Sequence, residues 1–247
     1  MYMSGQGKVF VAPIEDGVTG QFRWVGNVPD FSPKFDTSKL EHKESWSGQR
    51  LLDKSITTEN KSTISATLED WSPENLALAV RGTVGKTAAG NVTGELSPAE
   101  LAEGDIWALK GVKVSSLVIT DSSVGPATVN ASKYTLDPDY GTVVFKADGL
   151  DGLTLPLKAA YTTAAADVVA FFTKGVQEVA VRFEGINTAD GNKKVLAEIY
   201  KVALDPTAEL GLITEELGQF VLEGSCLADA SRPDDVLFGK FGRLVYL

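Results

Sequence analysis

Residues Gly82-Thr83-Val84-Gly85-Lys86-Thr87 contain a Gly-Lys-Thr step of the kind that cradles phosphate oxygens. The full phosphate-loop pattern needs a glycine where Val80 stands and a strand before the loop, whereas a helix-like run precedes this one. The segment therefore reads as a helix stop followed by a flexible connection. His42, the single histidine, stands in His42-Lys43-Glu44. A His-x-Glu step serves zinc deaminases, but the two cysteines that would complete such a site are missing, because Cys226 is the one cysteine of the chain. A Ser-His-Asp triad would rest on the same histidine, with no Gly-x-Ser-x-Gly elbow to present a nucleophile. Asp137-Pro138-Asp139 offers two carboxylates, too few for calcium, and reads as a turn between strands. Cys226 has no basic neighbour to favour the thiolate, so a buried thiol is expected. The sequence reading is of a protein that is not an enzyme and takes no cofactor or metal.

Composition points the same way. The chain carries 33 acidic against 23 basic residues, a formal charge of −10. Gripping nucleic acid needs clustered lysine and arginine, so an acidic chain of this kind repels DNA. One cysteine leaves no intramolecular disulfide and fits a reducing compartment. Met1 to Gly5 show neither a basic n-region nor an apolar stretch, so no signal peptide is expected. The most apolar window, Ala164 to Phe172, is broken by Asp167 and falls short of the roughly 20 residues that span a bilayer. A soluble subunit without a membrane partner is the expectation.

The elements that would position these residues are mostly strands. Apolar and polar residues alternate at Ile64, Ala66 and Leu68, and again at Val179, Val181 and Phe183. Asn187 to Asn192 supplies Asp-Gly turn chemistry, which predicts a hairpin with the run Val195 to Leu204. Tyr134 to Leu136 and Thr142 to Lys146 predict a second hairpin, flanked by Val112 to Thr120 and Thr154 to Tyr161. Lys8 to Pro13, Gln21 to Val25, Phe31 to Asp36, Lys54 to Leu68 and Gln219 to Glu223 complete the set. One helix is well punctuated: Ser72 as the cap, Pro73 at the first position, Glu74 in the first turn and Gly82 as the left-handed stop predict a helix over 73–81. Ser97-Pro98-Ala99-Glu100 repeats the capping pattern and predicts one or two further turns. Thr83 to Gly94 reads as a mobile connection, and Thr37 to Leu52 as a long polar loop. Length and composition favour one domain over residues 1–247, with 84–130 as an insertion or an elaborated edge.

The order strand, Gly26-Asn27-Val28, long Glu/Ser/Gly loop, long Thr/Ser strand and Leu/Ala-rich helix resembles the tail tube protein of long-tailed, non-contractile bacteriophages. Tyr134-Thr135-Leu136-Asp137 with Gly141-Thr142-Val143, Val181 to Gly185 leading into Glu198 to Val202, and Glu209 to Leu227 extend the resemblance over most of the chain. What it implies is a mainly β fold, sandwich or barrel-like, with one flanking helix and a long inter-strand loop. It further implies hexameric rings stacked into a tube, lined by a continuous barrel and conducting DNA without binding it specifically. Partners would be copies of the chain itself and the tape measure, tail terminator and distal tail proteins, in a virion assembled in the host cytoplasm. A decoration protein or carbohydrate-binding β-sandwich is the alternative.

On that reading two groups of residues matter. The segment Thr37 to Leu52 is too long for a simple turn, and loops of that length are usually functional. Its mixed charges, Lys39, Glu41, His42, Lys43, Glu44 and Arg50, surround Trp46, an aromatic anchor, and together predict the ring-to-ring contact. Polar alternation through Ser55, Thr57, Glu59, Thr63, Ser65 and Thr67 predicts that Glu59 faces the lumen, together with Glu178 and Glu184 of a second strand.

Overall fold

A computed structural model describes residues 2–233 and 235–247. The chain forms two compact units, Met1–Val84 with Val169–Leu247, and Gly85–Val168. The first unit opens with β1 (Gly5–Glu15), β2 (Val18–Thr19), β3 (Arg23–Trp24), β4 (Asp30–Lys43), β5 (Leu52–Leu68) and α1 (Pro73–Ala79). The chain leaves along β6 (Thr83–Thr87). The second unit contains β7 (Gly90–Leu96), β8 (Ile106–Ala108), β9 (Val114–Thr120), β10 (Tyr134–Asp137), β11 (Thr142–Phe145) and β12 (Lys158–Thr163). Return is along β13 (Ala166–Ala170), which pairs with β6, and β14 (Glu178–Asn187), β15 (Lys193–Asp205), β16 (Phe220–Cys226) and β17 (Gly242–Tyr246) complete the first unit.

The fold is mainly β, with one α-helix among the described residues. A nine-stranded sheet runs in the order β2-β1-β14-β15-β16-β5-β4, with β3 on β1 and β17 on β15. The second unit has two three-stranded sheets, β10-β11-β8 and β7-β12-β9. The sheets are antiparallel, and none among the described residues closes into a barrel. Period-two alternation builds the first core: Ile64, Ala66 and Leu68 of β5 meet Phe220, Leu222 and Cys226 of β16, Val202 and Leu204 of β15, and Val9 and Val11 of β1. The second unit has its own core around Trp107, Ile119, Val143, Phe145, Leu157 and Tyr161. Each large side chain buried there contributes about 1.5–3 kcal/mol, which ties the strand pattern to stability.

Both expected hairpins are present, β14–β15 and β10–β11, with Asn187↔Lys193 and Asp137↔Thr142 closing them. Val112 to Thr120 and Thr154 to Tyr161 do not flank the second of these. As β9 and β12 they pair with each other in a separate sheet. The segment 84–130, expected as an insertion or edge, is the first part of the second unit, which runs on to Val168 because β12 pairs with both β7 and β9.

Several local expectations give way. The helix spans Pro73–Ala79, but the Ser72 hydroxyl caps nothing; it is buried without a partner, and the Asp70 carboxylate accepts the Ser72 N–H at 3.0 Å instead. The left-handed residue after the helix is Arg81, φ +48°, and not Gly82. Gly82 is needed for closeness: a Cβ there would lie 2.5 Å from the Ala170 carbonyl oxygen. Thr83 to Gly94 is no loose connection, since most of it forms β6 and the start of β7. Ser97 to Glu100 forms no helix; the Ser97 hydroxyl instead accepts the Leu157 N–H at 2.9 Å, tying the end of β7 to the chain entering β12. Trp24 is half exposed with the Lys8 ammonium 5.1 Å from its ring.

Candidate functional site

The segment 37–52 is for the most part paired strand. β4 and β5 stay paired from Asp30↔Thr67 out to Lys43↔Leu52, with register shifts between Ser38 and Lys39 and between His42 and Lys43, so only residues 44–51 form the connecting loop. Ile56, Thr57 and Thr58 favour extended backbone, which supports strand through a segment whose polarity suggested loop. The inner half of β5 alternates between buried and partly buried, whereas Leu52 to Lys61 are exposed throughout, as are Pro33 to Lys43 on β4. The outer half of the hairpin is thus a two-stranded arm with neither face covered by its own chain. An isolated two-stranded ribbon is marginally stable in water, so an arm of this kind is suited to docking on another surface.

Its side chains support that use. Phe35 is 81% exposed and Trp46 78%. Leu40 and Ile56, opposite one another across the ribbon, are both exposed and form an apolar cross-strand pair. Among the described residues Lys39, Lys43, Arg50, Lys54 and Lys61 make no ion pair, while His42 Nδ1 lies 2.6 Å from Asp53 Oδ1. Glu41 is likewise exposed on β4. Trp46 was legible as an exposed aromatic. Phe35, Leu40 and Ile56 were not, although single apolar residues spaced through an otherwise polar run are the signal that marks them.

Glu44 differs from the expectation of a surface charge. It is buried, and its carboxylate accepts the Trp46 and Ser47 N–H groups at 2.8 and 2.9 Å, the Leu51 N–H at 3.2 Å and the Ser47 hydroxyl. These donors, the Ser47 hydroxyl first, hold its pKa down at about 2. The loop is built around this one carboxylate, and Arg50 in the left-handed region, φ +52°, turns the chain back toward β5.

The residues expected to line a lumen are dispersed. Thr58 is bulged out of the ladder, so Glu59 opposes Ser38 while Thr57 opposes Lys39, and the row Ser55-Thr57-Glu59 therefore divides between the two faces of the arm. Glu178 pairs with Lys201 at 2.7 Å. Glu184 pairs with Arg182 at 2.7 Å, Arg182 also reaches Glu198 at 2.9 Å, and Arg243 meets Glu198 at 2.7 Å. The face of β14, β15 and β17 that carries Glu184 is a lattice of matched charges and not an acidic surface.

At the root of the arm lies an open apolar cavity of about 780 Å³. Val28, Phe31, Phe35, Phe183, Phe241 and Leu244 line it, together with Cys226, Glu198 and Arg243. Phe31 and Phe183 stand 6.1 Å apart between ring centroids. Phe183 lies over Gly185, where a Cβ would come 2.3 Å from its ring, so this glycine lets the ring fold down beside the cavity. Burial raises the pKa of the Cys226 thiol. Elsewhere Glu103, Asp148 and Asp151 gather three exposed carboxylates on the second unit.

Fold and site define a mainly β protein that carries an uncovered hairpin arm and an apolar cavity at its root. The chain belongs to the family described as protein of unknown function UCP028589, whose model matches residues 2–245. No curated protein matches it. Among the described residues no helix is long and apolar enough to cross a membrane.

Proposed function

We propose that this protein is a self-assembling structural subunit, the tail tube protein of a phage with a long, non-contractile tail, and that it catalyses no reaction. The observation that carries the reading is the β4–β5 arm, whose outer half exposes Phe35, Leu40, Trp46 and Ile56 and finds no cover on its own chain. Copies of the chain would form rings, hexameric by the resemblance, and the arm would join one ring to the next as they stack into a tube. The tape measure, terminator and distal tail proteins would be its further partners in the virion. DNA would pass through without being held, since the chain is acidic overall and its arginines at 182 and 243 are already engaged by carboxylates.

Electron microscopy of the purified protein in negative stain tests this reading. Rings or tubes are expected from the intact chain, and folded protein that grows no tubes from a variant in which residues 38–48 are shortened to a Gly/Ser turn. Monomers at all concentrations from the intact chain would overturn it.

A further inference from the structure

The first unit leaves two apolar surfaces uncovered, the tip of the arm and the cavity at its root. We propose that they belong together between molecules: the arm tip of one copy seats Trp46 in the cavity of a second copy. The proposal deepens the assembly reading and rests on it.

Geometry excludes the same copy as occupant. Phe35 and Ser62, opposite each other where the uncovered part of the ribbon begins, are themselves lining residues of the cavity. From there the strands stay paired for eight more residues of β4, Asp36 to Lys43, carrying the tip about 25 Å away at 3.3 Å per residue. A paired ribbon cannot fold back on its own root, so a tip that enters the cavity comes from another copy.

The tip is also prepared for insertion. The Glu44 carboxylate binds the backbone N–H groups of both Trp46 and Leu51, fixing two exposed apolar residues at one end of the arm before any partner arrives. Order present in the free molecule is not lost again on binding, which favours affinity. The cavity volume falls in the range that holds a few large side chains.

Charge favours the same occupant. Residues 34–61 hold six basic against five acidic residues, whereas the chain as a whole stands at −10. The arm is therefore less repelled by a second copy than the remainder of the chain taken together, and its unpaired cations face an acidic body. A tip that fills a different surface on the next copy makes a heterologous contact, which generates rings or open filaments instead of closed dimers.

Cross-linking between two populations tests the seat. In a Cys226→Ser background, one population carries Ser45→Cys beside the anchor and the other carries Leu244→Cys in the cavity lining. A short bifunctional maleimide is added to each alone and to the mixture, with assembly followed by microscopy on the same samples. A covalent dimer that forms only in the mixture is expected, reduced about tenfold or more when Trp46→Ala is added to the first population. Assemblies without the dimer overturn the seat and leave the assembly reading standing. The dimer without rings or tubes supports the seat and removes the tube reading, and the absence of both removes the two together.

Discussion

At the scale of single residues, Glu44 organises the arm through its charge. Its folded pKa of about 2 lies below the ordinary carboxylate value, so the stability it lends the loop is fully present above about pH 4.5 and is lost as pH falls through about 2. Amide exchange of residues 44–51, corrected for intrinsic rates, should therefore accelerate over that window while the core strands stay protected. Glu44→Ala should show the fast exchange already at pH 7, because the Trp46, Ser47 and Leu51 N–H groups lose their acceptor. A loop equally protected in that variant would show that its backbone alone holds the turn. Gly185 makes a second residue-scale case. A Cβ at this position would press on the Phe183 ring at 2.3 Å, so Gly185→Ala should cost about 1–3 kcal/mol in urea unfolding and open the cavity wall.

At the scale of elements, the arm and the body respond to different substitutions. Leu40 and Ile56 face each other but bury little area on their own chain, so Leu40→Ser with Ile56→Ser should leave the melting temperature unchanged and weaken assembly. A lowered melting temperature would mean that the pair stabilises the folded monomer. Core strands behave oppositely. Phe145 of β11 is 1% exposed, and Phe145→Ala should cost about 3–5 kcal/mol in the unfolding of the second unit. The helix shows how one element can be legible while its punctuation is not. Pro73 and Glu74 mark its start as the sequence suggests, yet the Ser72 hydroxyl caps no N–H while the Ser72 N–H finds Asp70, and the close approach of Ala170 decides which residue after the helix must be glycine.

At the scale of the whole molecule, the two units have separate cores, and both chain crossings run along the paired strands β6 and β13. The Thr87 hydroxyl donates to the Ala166 carbonyl at 3.3 Å, so the two crossings are already side by side at that point. Replacing the chain between Thr87 and Ala166 with a short Gly/Ser turn should leave the first unit folded, with its own cooperative transition in circular dichroism. Loss of that transition would show that the first core depends on the second unit. Fold class and the two tight hairpins were legible because alternation and turn chemistry act over a few neighbouring residues. The extent of the second unit was not, because it depends on β12 pairing with β7 and β9, as in Thr163↔Gly90 and Lys158↔Thr120, far along the chain.

The same division runs through the site. The sequence by itself determined that the chain is acidic, that it is built mainly of strands with a short helix after Ser72, and that Trp46 stands apart from any apolar run; composition, period and neighbour identity fix these. Only the tertiary structure decided that 37–52 is mostly paired ribbon, that Glu44 turns inward, that Glu178 and Glu184 are matched by Lys201 and Arg182, and that β4 and β5 run past the edge of their core. Each of those outcomes depends on strand register, and register is set by distant partners: a bulge at Thr58 sends Glu59 and Thr57 to opposite faces although the residues between them read as simple alternation.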